Sequence, residues 1–269
     1  MIDLSIVIVS YNARADLERC LASLSAHPPS MPHDVIVVDN ASTDDSVVAI
    51  HRGWPAIRLI SQASNGGFAQ ANNAGIRASR GDLILLLNSD TIVPAGAIDR
   101  LVARLLAVPP AAAAGPRLVD DEGRVEISFG AMISPFAELR QKLLGALYAR
   151  RVAAVVARVE ARASREQFVD WVSGACLLVH RTKAEAVGLL DERFFLYTED
   201  VDFCAALRAR GGRILFTPAA QITHRRGRSR ASAPDAMNPA YRRSQLAFYQ
   251  KHHPRWVRLL RLYLRLTGS

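Results

Sequence analysis

The feature that most constrains this chain is the alternation in its first 90 residues. Short apolar runs at residues 5–9, 35–38, 57–60 and 83–87 are separated by segments with apolar residues at helical spacing. Continuous, β-branched runs of this kind form strands buried on both faces, and strands joined by helices lie parallel. The pattern predicts an α/β fold with a doubly wound parallel sheet. It also predicts where chemistry sits, because open parallel sheets bind ligands beyond the carboxyl ends of their strands. Three of the runs stop directly at polar clusters, residues 10–12 (SYN), 39–44 (DNASTD) and 88–90 (NSD), which should meet along one edge.

The rest of the chain is less regular. Residues 69–79, 96–107 and 136–165 read as helices, the last with weak caps. Residues 169–179 and 213–216 read as strands, and 199–210 as a helix closed by Gly211. An Arg/Ser/Pro-rich loop over 225–240 leads to a basic helical stretch, 241–266, interrupted at Pro254. The expected organisation is one α/β domain over 1–230, with halves 1–95 and 96–230, followed by a loop and helical tail over 231–269.

A net charge of +9 favours anionic partners, and its distribution narrows them. Residues 241–269 hold seven Lys/Arg and no acid. Leu259, Leu260, Leu262 and Leu266 interleave with them, as in a helix lying on a membrane surface; a helix packed on the catalytic domain or against a second copy is the alternative. No aromatic platform or nucleic-acid motif accompanies the charge, so nucleic acid is not an expected partner. Asp3 and the lack of a basic leader argue against a signal peptide, and no apolar run approaches the ~20 residues that span a bilayer. The expectation is a cytoplasmic protein, soluble or peripheral on the inner membrane face. Cys20, Cys176 and Cys204 read as buried thiols rather than a disulfide or zinc framework.

Several residues carry candidate chemistry, each with a plain structural alternative. Asp39 can accept a hydrogen bond from a base or ribose, or cap a helix. Asp90 can hold a divalent cation on a diphosphate, or close a polar turn. Asn65, Gly66 and Gly67 form a loop that lets a ligand approach the backbone closely, or an ordinary glycine turn. Residues 197–202 (YTEDVD) place three acids in four positions, suiting a general base or an acidic first helical turn. His224 is a ligand or a structural histidine. The arginines after it, Arg226 and Arg228 among them, can neutralise a diphosphate or form a solvated loop. Trp171 can stack on a sugar or fill the core. No GxGxxG follows the first strand, which counts against a dinucleotide-binding domain.

Taken in order, these segments resemble the family 2 glycosyltransferases, in particular the rhamnosyltransferase-like branch. The matching stretches are 5–12, 37–44, 65–69, 86–90, 174–178, 188–195, 197–202 and His224. The resemblance implies a GT-A fold, with a Rossmann-like, mostly parallel sheet flanked by helices. It implies that Ser10, Tyr11, Asn12 and Asp39 hold the nucleotide, and that Asn65, Gly66, Gly67, Asn72 and Ser89 line the nucleotide-sugar site. Asp90, last residue of the DxD motif, and His224 would bind Mg²⁺ or Mn²⁺. Asp200 would be the catalytic base of an inverting single displacement. Trp171, Gly174, Asp191 and Glu199 would lie near donor or acceptor sugar, and Arg226 and Arg228 near the diphosphate. The implied donor is a nucleoside-diphosphate sugar, dTDP-rhamnose by choice with UDP- and GDP-sugars open. The implied acceptor is a saccharide or a polyprenyl-linked saccharide. One departure stands out: Asn88 occupies the first DxD position, so a neutral amide replaces a carboxylate. A non-catalytic relative should lack the acid at 90 or 200, and both are present. A nucleotidyltransferase should carry a Gly-rich basic loop where residues 10–14 read SYNAR.

Overall fold

The computed structural model describes residues 2–225 and 234–267. β1 (Leu4–Ser10), α1 (Arg14–Ala26), β2 (His33–Asp39), α2 (Ser46–Gly53), β3 (Arg58–Ser61), α3 (Gly67–Ala78) and β4 (Leu83–Asn88) alternate as the apolar runs require. Ile6, Val7 and Ile8 of β1 and Ile84, Leu85 and Leu86 of β4 are all buried, because helices cover both faces of the sheet. These strands lie in the order β3-β2-β1-β4 and are parallel throughout.

The remaining elements are β5 (Thr91–Ile92), α4 (Ala97–Leu106), β6 (Ala111–Val119), β7 (Phe129–Gly130), α5 (Pro135–Ala149), α6 (Ala153–Ala163), β8 (Gln167–Val169), β9 (Trp171–Val172), β10 (Cys176–His180), α7 (Arg181–Ala186), α8 (Glu199–Ala209), β11 (Arg213–His224), α9 (Pro234–His252) and α10 (Val257–Thr267). They extend the sheet as β10-β6-β11-β5. β10 runs antiparallel to both β4 and β6. It enters from the carboxyl edge, where the Asn88 N–H donates to the Ala175 carbonyl (2.9 Å), so it must run back along β4. The doubly wound parallel arrangement therefore holds for the first four strands, and the whole sheet is mixed.

Four sequence readings change in detail, the first being the loop expected over 225–240, which is already helical from Pro234 in α9 (Pro234–His252). The strand expected over 169–179 is three short strands, broken at Asp170 and at residues 173–175. The strand expected to stop at Phe216 runs on to His224, because an irregularity between Thr217 and Gln221 absorbs Pro218 and restores pairing with β6. The helix expected over 136–165 is two helices, separated where Arg151 turns left-handed (φ 56°). Its start is well capped: Ser134 Oγ accepts from the Ala137 N–H (3.3 Å) with Pro135 in the first turn.

The basic C-terminal stretch divides as Pro254 suggests, and its first helix belongs to the body. Phe248 and Tyr249 of α9 are buried in the same core as Phe194, Val201 and Phe203. Burial of side chains this size stabilises by about 1.5–3 kcal/mol each. Ser244 Oγ donates to the Leu196 carbonyl (2.7 Å). Among the described residues no helix is long and apolar enough to cross a membrane.

Candidate active site

The strand register brings the polar clusters together. Ser10 lies opposite Asp39 across β1 and β2, and Val9 lies opposite Asn88 across β1 and β4. Ser10 and Asp39 are buried. Asp39 uses Oδ2 to accept the Ser42 N–H (3.1 Å), which shapes the turn. Its Oδ1, like Ser10 Oγ, is buried with no partner among the described residues. Leaving such an atom unsatisfied costs about 1–3 kcal/mol, so a pair of them at a strand edge suits a ligand that supplies the missing bonds. Asn12 crosslinks the two turns. Its N–H donates to Ser42 Oγ (2.9 Å), and its Oδ1 accepts from the Thr43 N–H (2.7 Å). Tyr11, beside it, is exposed.

Asn40 ties this turn to the glycine loop, a role the sequence does not signal. Its Nδ2 donates to Asn65 Oδ1 (2.8 Å), and its Oδ1 accepts from the Gly66 N–H (3.1 Å). Gly67 has φ +87°, and a Cβ there would sit 2.3 Å from the Phe195 carbonyl oxygen. Only glycine allows the Phe68 N–H to reach that carbonyl (2.7 Å). Asn72 lies inside α3, buried, with Nδ2 donating to the Phe68 carbonyl (2.9 Å), so it braces this loop from behind. Ser89 is buried beside Asp90.

Beyond β4 stands a charged cluster. β11 pairs with β5 so that His224 lies opposite Thr91. This places His224 Nε2 3.2 Å from Asp90 Oδ1, while Nδ1 is 2.8 Å from Glu126 Oε2. All three side chains are buried. Burial alone would lower the His224 value, but hydrogen bonds to Asp90 and Glu126 outweigh it and raise it to about 9. Without a bound cation the ring therefore favours its charged form, and ligating a cation through Nε2 would require loss of that proton. Glu126 was not among the sequence candidates. The Asn88 side chain reaches within 3.4 Å of His224 Nε2, and its Oδ1 is buried without a partner among the described residues. A carboxylate, an imidazole and an orphaned amide oxygen suit a hard divalent cation such as Mg²⁺ or Mn²⁺. Among the described residues no three His, Cys, Asp or Glu side chains enclose a metal site. The residues present therefore fit a cation that takes part of its shell from a bound diphosphate.

The three acids of residues 197–202 do three different things. Tyr197 and Thr198 both take left-handed backbone angles (φ 70° and 66°) immediately before α8. Such consecutive non-glycine strain persists only where surrounding structure imposes it, and it clusters at functional sites. Asp200 then points at the edge. Its Oδ2 accepts the Gly174 N–H and its Oδ1 the Val201 N–H, each at 2.8 Å. A Cβ at Gly174 would lie 3.3 Å from both Asp200 Cβ and Phe68 Cε1, so this approach is tight. Glu199 is buried, and burial, then the neighbouring Asp200, pushes its carboxyl well above the ordinary range. Asp202, about 200° round the helix from Asp200, accepts from Lys251 (2.8 Å) and pairs with His252 (2.6 Å), holding α9 in place.

Asp191 joins that anchoring group, not Asp200. It binds Arg193 (2.6 Å) and Lys251 (2.8 Å), and hydrogen bonds from these cations hold its carboxyl well below the usual range. Trp171 is a core residue, 7% exposed, with Nε1 donating to the Ala131 carbonyl (2.8 Å) and its ring under Gly130. This is the core setting of the two that the sequence left open, and the surface it leaves for a sugar is small. Arg226 and Arg228 lie outside the described residues. Cys20, Cys176 and Cys204 are buried, and burial first of all pushes Cys20 and Cys204 up to about 12.

Comparison with known proteins places this arrangement. The description "Glycosyltransferase like family 2" matches residues 3–258. An N-acetylglucosaminyl-diphospho-decaprenol L-rhamnosyltransferase of Mycobacterium tuberculosis is 33% identical over 267 residues, covering 95% of this chain and 86% of the relative. A low-salt glycan biosynthesis hexosyltransferase of Haloferax volcanii is 27% identical, over 77% of this chain and 62% of its own length. Among solved structures, a mannosyltransferase from Pyrobaculum calidifontis in complex with GDP-Man and Mn²⁺ superposes with a TM-score of 0.63 at 18% identity, over 99% of this chain and 70% of that one. GalNAc-T7 with UDP, GalNAc and Mn²⁺ gives 0.61 at 16% identity, over 83% of this chain and 44% of that one. These likenesses establish a GT-A fold.

Proposed function

The chain belongs to the family 2 glycosyltransferases, and from that premise we propose that it transfers L-rhamnose from dTDP-rhamnose to an N-acetylglucosaminyl-diphospho-polyprenol acceptor. One observation carries the site assignment. Asp200, fixed by two backbone N–H groups, stands on the same sheet edge as the Asp90–His224 pair, joined to it through the turn that binds both Asn88 and Asp200. The choice of sugar and acceptor rests on the rhamnosyltransferase relative, similar along nearly its whole length.

The chemistry follows from charge development. Ser10, Tyr11 and Asp39 hold base and ribose, with Ser10 Oγ and Asp39 Oδ1 gaining the partners they lack. Asp90, His224 and Asn88 Oδ1 would hold a divalent cation, which when bound offsets the negative charge that builds on the leaving diphosphate. Asp200 accepts the proton of the attacking hydroxyl. The acceptor oxygen bonds to the anomeric carbon as that carbon's bond to the β-phosphate oxygen breaks. The nucleoside diphosphate leaves with the bonding electrons, and the anomeric centre inverts. Burial pushes the Glu199 carboxyl up, which disfavours a second negative charge beside the base. A lipid-linked acceptor would place the enzyme at the inner face of the cytoplasmic membrane.

The test is direct. Purified protein, dTDP-rhamnose and a water-soluble short-prenyl N-acetylglucosaminyl diphosphate are incubated with Mn²⁺ or with chelator, and product is followed by mass spectrometry. Rhamnosylated product that depends on the cation is expected. Transfer from UDP- or GDP-sugars, with none from dTDP-rhamnose, would overturn the donor.

A further inference from the structure

Among the described residues, α5 and α10 leave an apolar face uncovered. No residue of α5 is buried. Phe136, Leu139 and Leu143, at helical spacing on one side, are 74%, 69% and 60% exposed. α10 has two apolar faces. Val257, Leu260 and Leu264 pack on the body, whereas Leu259, Leu262 and Leu266, about a third of a turn or more away, are 56%, 54% and 78% exposed. The two outer faces form one surface. Phe136 meets Trp256 edge to face at 5.9 Å, and Lys142 Nζ lies 5.6 Å over the Tyr263 ring.

Charge says what covers this surface. Arg258, Arg261 and Arg265 form an exposed stripe on α10 beside the apolar face, and Arg140 is exposed on α5. Residues 254–267 contain no acid. Glu138, the single acid of α5, turns inward to Gln245 and Tyr249. A second copy seated here by two-fold symmetry would bring the arginine stripe towards itself. An apolar face rimmed by arginines instead matches an anionic bilayer, whose surface attracts cations while its acyl boundary accepts apolar side chains.

We propose that the joint α5–α10 face docks this protein on an anionic membrane surface. Its purpose rests on the lipid-linked acceptor read above; its evidence does not. The face is tied to the active-site edge by a short path: the Ser173 N–H binds the Ser128 carbonyl, β7 follows, and His253 holds the Ile133 carbonyl (2.7 Å) just before α5 begins.

Flotation of the full chain on vesicles tests the idea. Phosphatidylcholine alone is compared with phosphatidylcholine containing phosphatidylglycerol. Wild type should float with the anionic vesicles at least about tenfold more than with the neutral ones. Combined Leu139→Ser, Leu143→Ser, Leu259→Ser and Leu262→Ser should lose most of that flotation, with Tm and transfer to the water-soluble acceptor unchanged, because all four side chains face solvent. Arg258→Glu with Arg261→Glu should lose it as well. Equal flotation of wild type and variants overturns the proposal. So does light scattering that shows a dimer which the leucine variant dissolves while vesicle binding is absent. Failure of rhamnosyl transfer with intact flotation would count against the reaction and leave the docking face standing.

Discussion

The two ends of the active-site edge follow opposite rules. The nucleotide end comes from consecutive parallel strands, and it leaves Ser10 Oγ and Asp39 Oδ1 buried without partners among the described residues. The transfer end is assembled from segments far apart in the chain, and its charged groups are matched: Asp90 and Glu126 flank His224, and Asp200 takes two N–H groups. One end waits for bonds that a ligand brings. The other engages its charged groups in contacts that substrate and cation must partly replace, and leaves Asn88 Oδ1 buried without a partner among the described residues. Under the proposed reaction the first end would carry binding and the second rate, and substitutions can separate them.

The largest effect should come from the transfer end. Asp200→Asn keeps the shape and an oxygen to accept the Gly174 N–H, but removes the base. Turnover should fall by roughly 10²–10⁴, measured as nucleoside diphosphate release at saturating donor, with donor affinity by calorimetry unchanged. Near-normal turnover would break the assignment. At the nucleotide end, Asp39→Ala should weaken donor binding by roughly tenfold or more, the worth of hydrogen bonds to a charged group. Turnover at saturating donor should hold. If Asp39→Ala lowered turnover and spared affinity, the division between the two ends would be wrong.

The same division explains what could be read in the sequence. The nucleotide end was legible because buried parallel strands announce themselves as continuous apolar runs, and register then forces their ends together. At the transfer end the acid cluster at 199–202 was visible, but which acid faces the edge depends on the phase of α8, with Asp202 turned about 200° away to Lys251. Glu126 gave no signal: it is one acid in a polar turn region, and its partner lies 98 positions away. Asn40 sat in a recognised cluster, but its bridge to Asn65 is purely tertiary. Trp171 was open between core and sugar, and the β7–β9 pairing set it in the core. The C-terminal stretch was basic and apolar throughout, so composition could not distinguish α9, which the core takes in, from α10, which it half leaves out. The outer face of α5 has apolar spacing too, and only packing shows that no described residue buries it.

The smallest effect sharpens the comparison most, because Glu126 touches no substrate in this account and acts through His224. Glu126→Gln keeps an oxygen that can accept the Nδ1 proton but removes a charge. Cation affinity should fall by about tenfold, the lower end for lost carboxylate–histidine support, read as the Mn²⁺ concentration giving half-maximal transfer. A second readout separates charge from shape. In chelator-treated wild type the His224 value is about 9, above its ordinary 6.5, because two carboxylates outweigh burial. That charge pairing stabilises the folded state fully below pH 6.5 and is lost as pH rises through about 9. Its size is of order a few kcal/mol at most. Removing the Glu126 charge lowers the folded value, so the variant should be less stable at low pH and lose less between pH 6.5 and 9. Urea unfolding across that range would show the two curves converging as His224 becomes neutral. Parallel curves would mean that Glu126 shapes the cluster without charging it, and the transfer end would then be less different from the nucleotide end than its contacts imply.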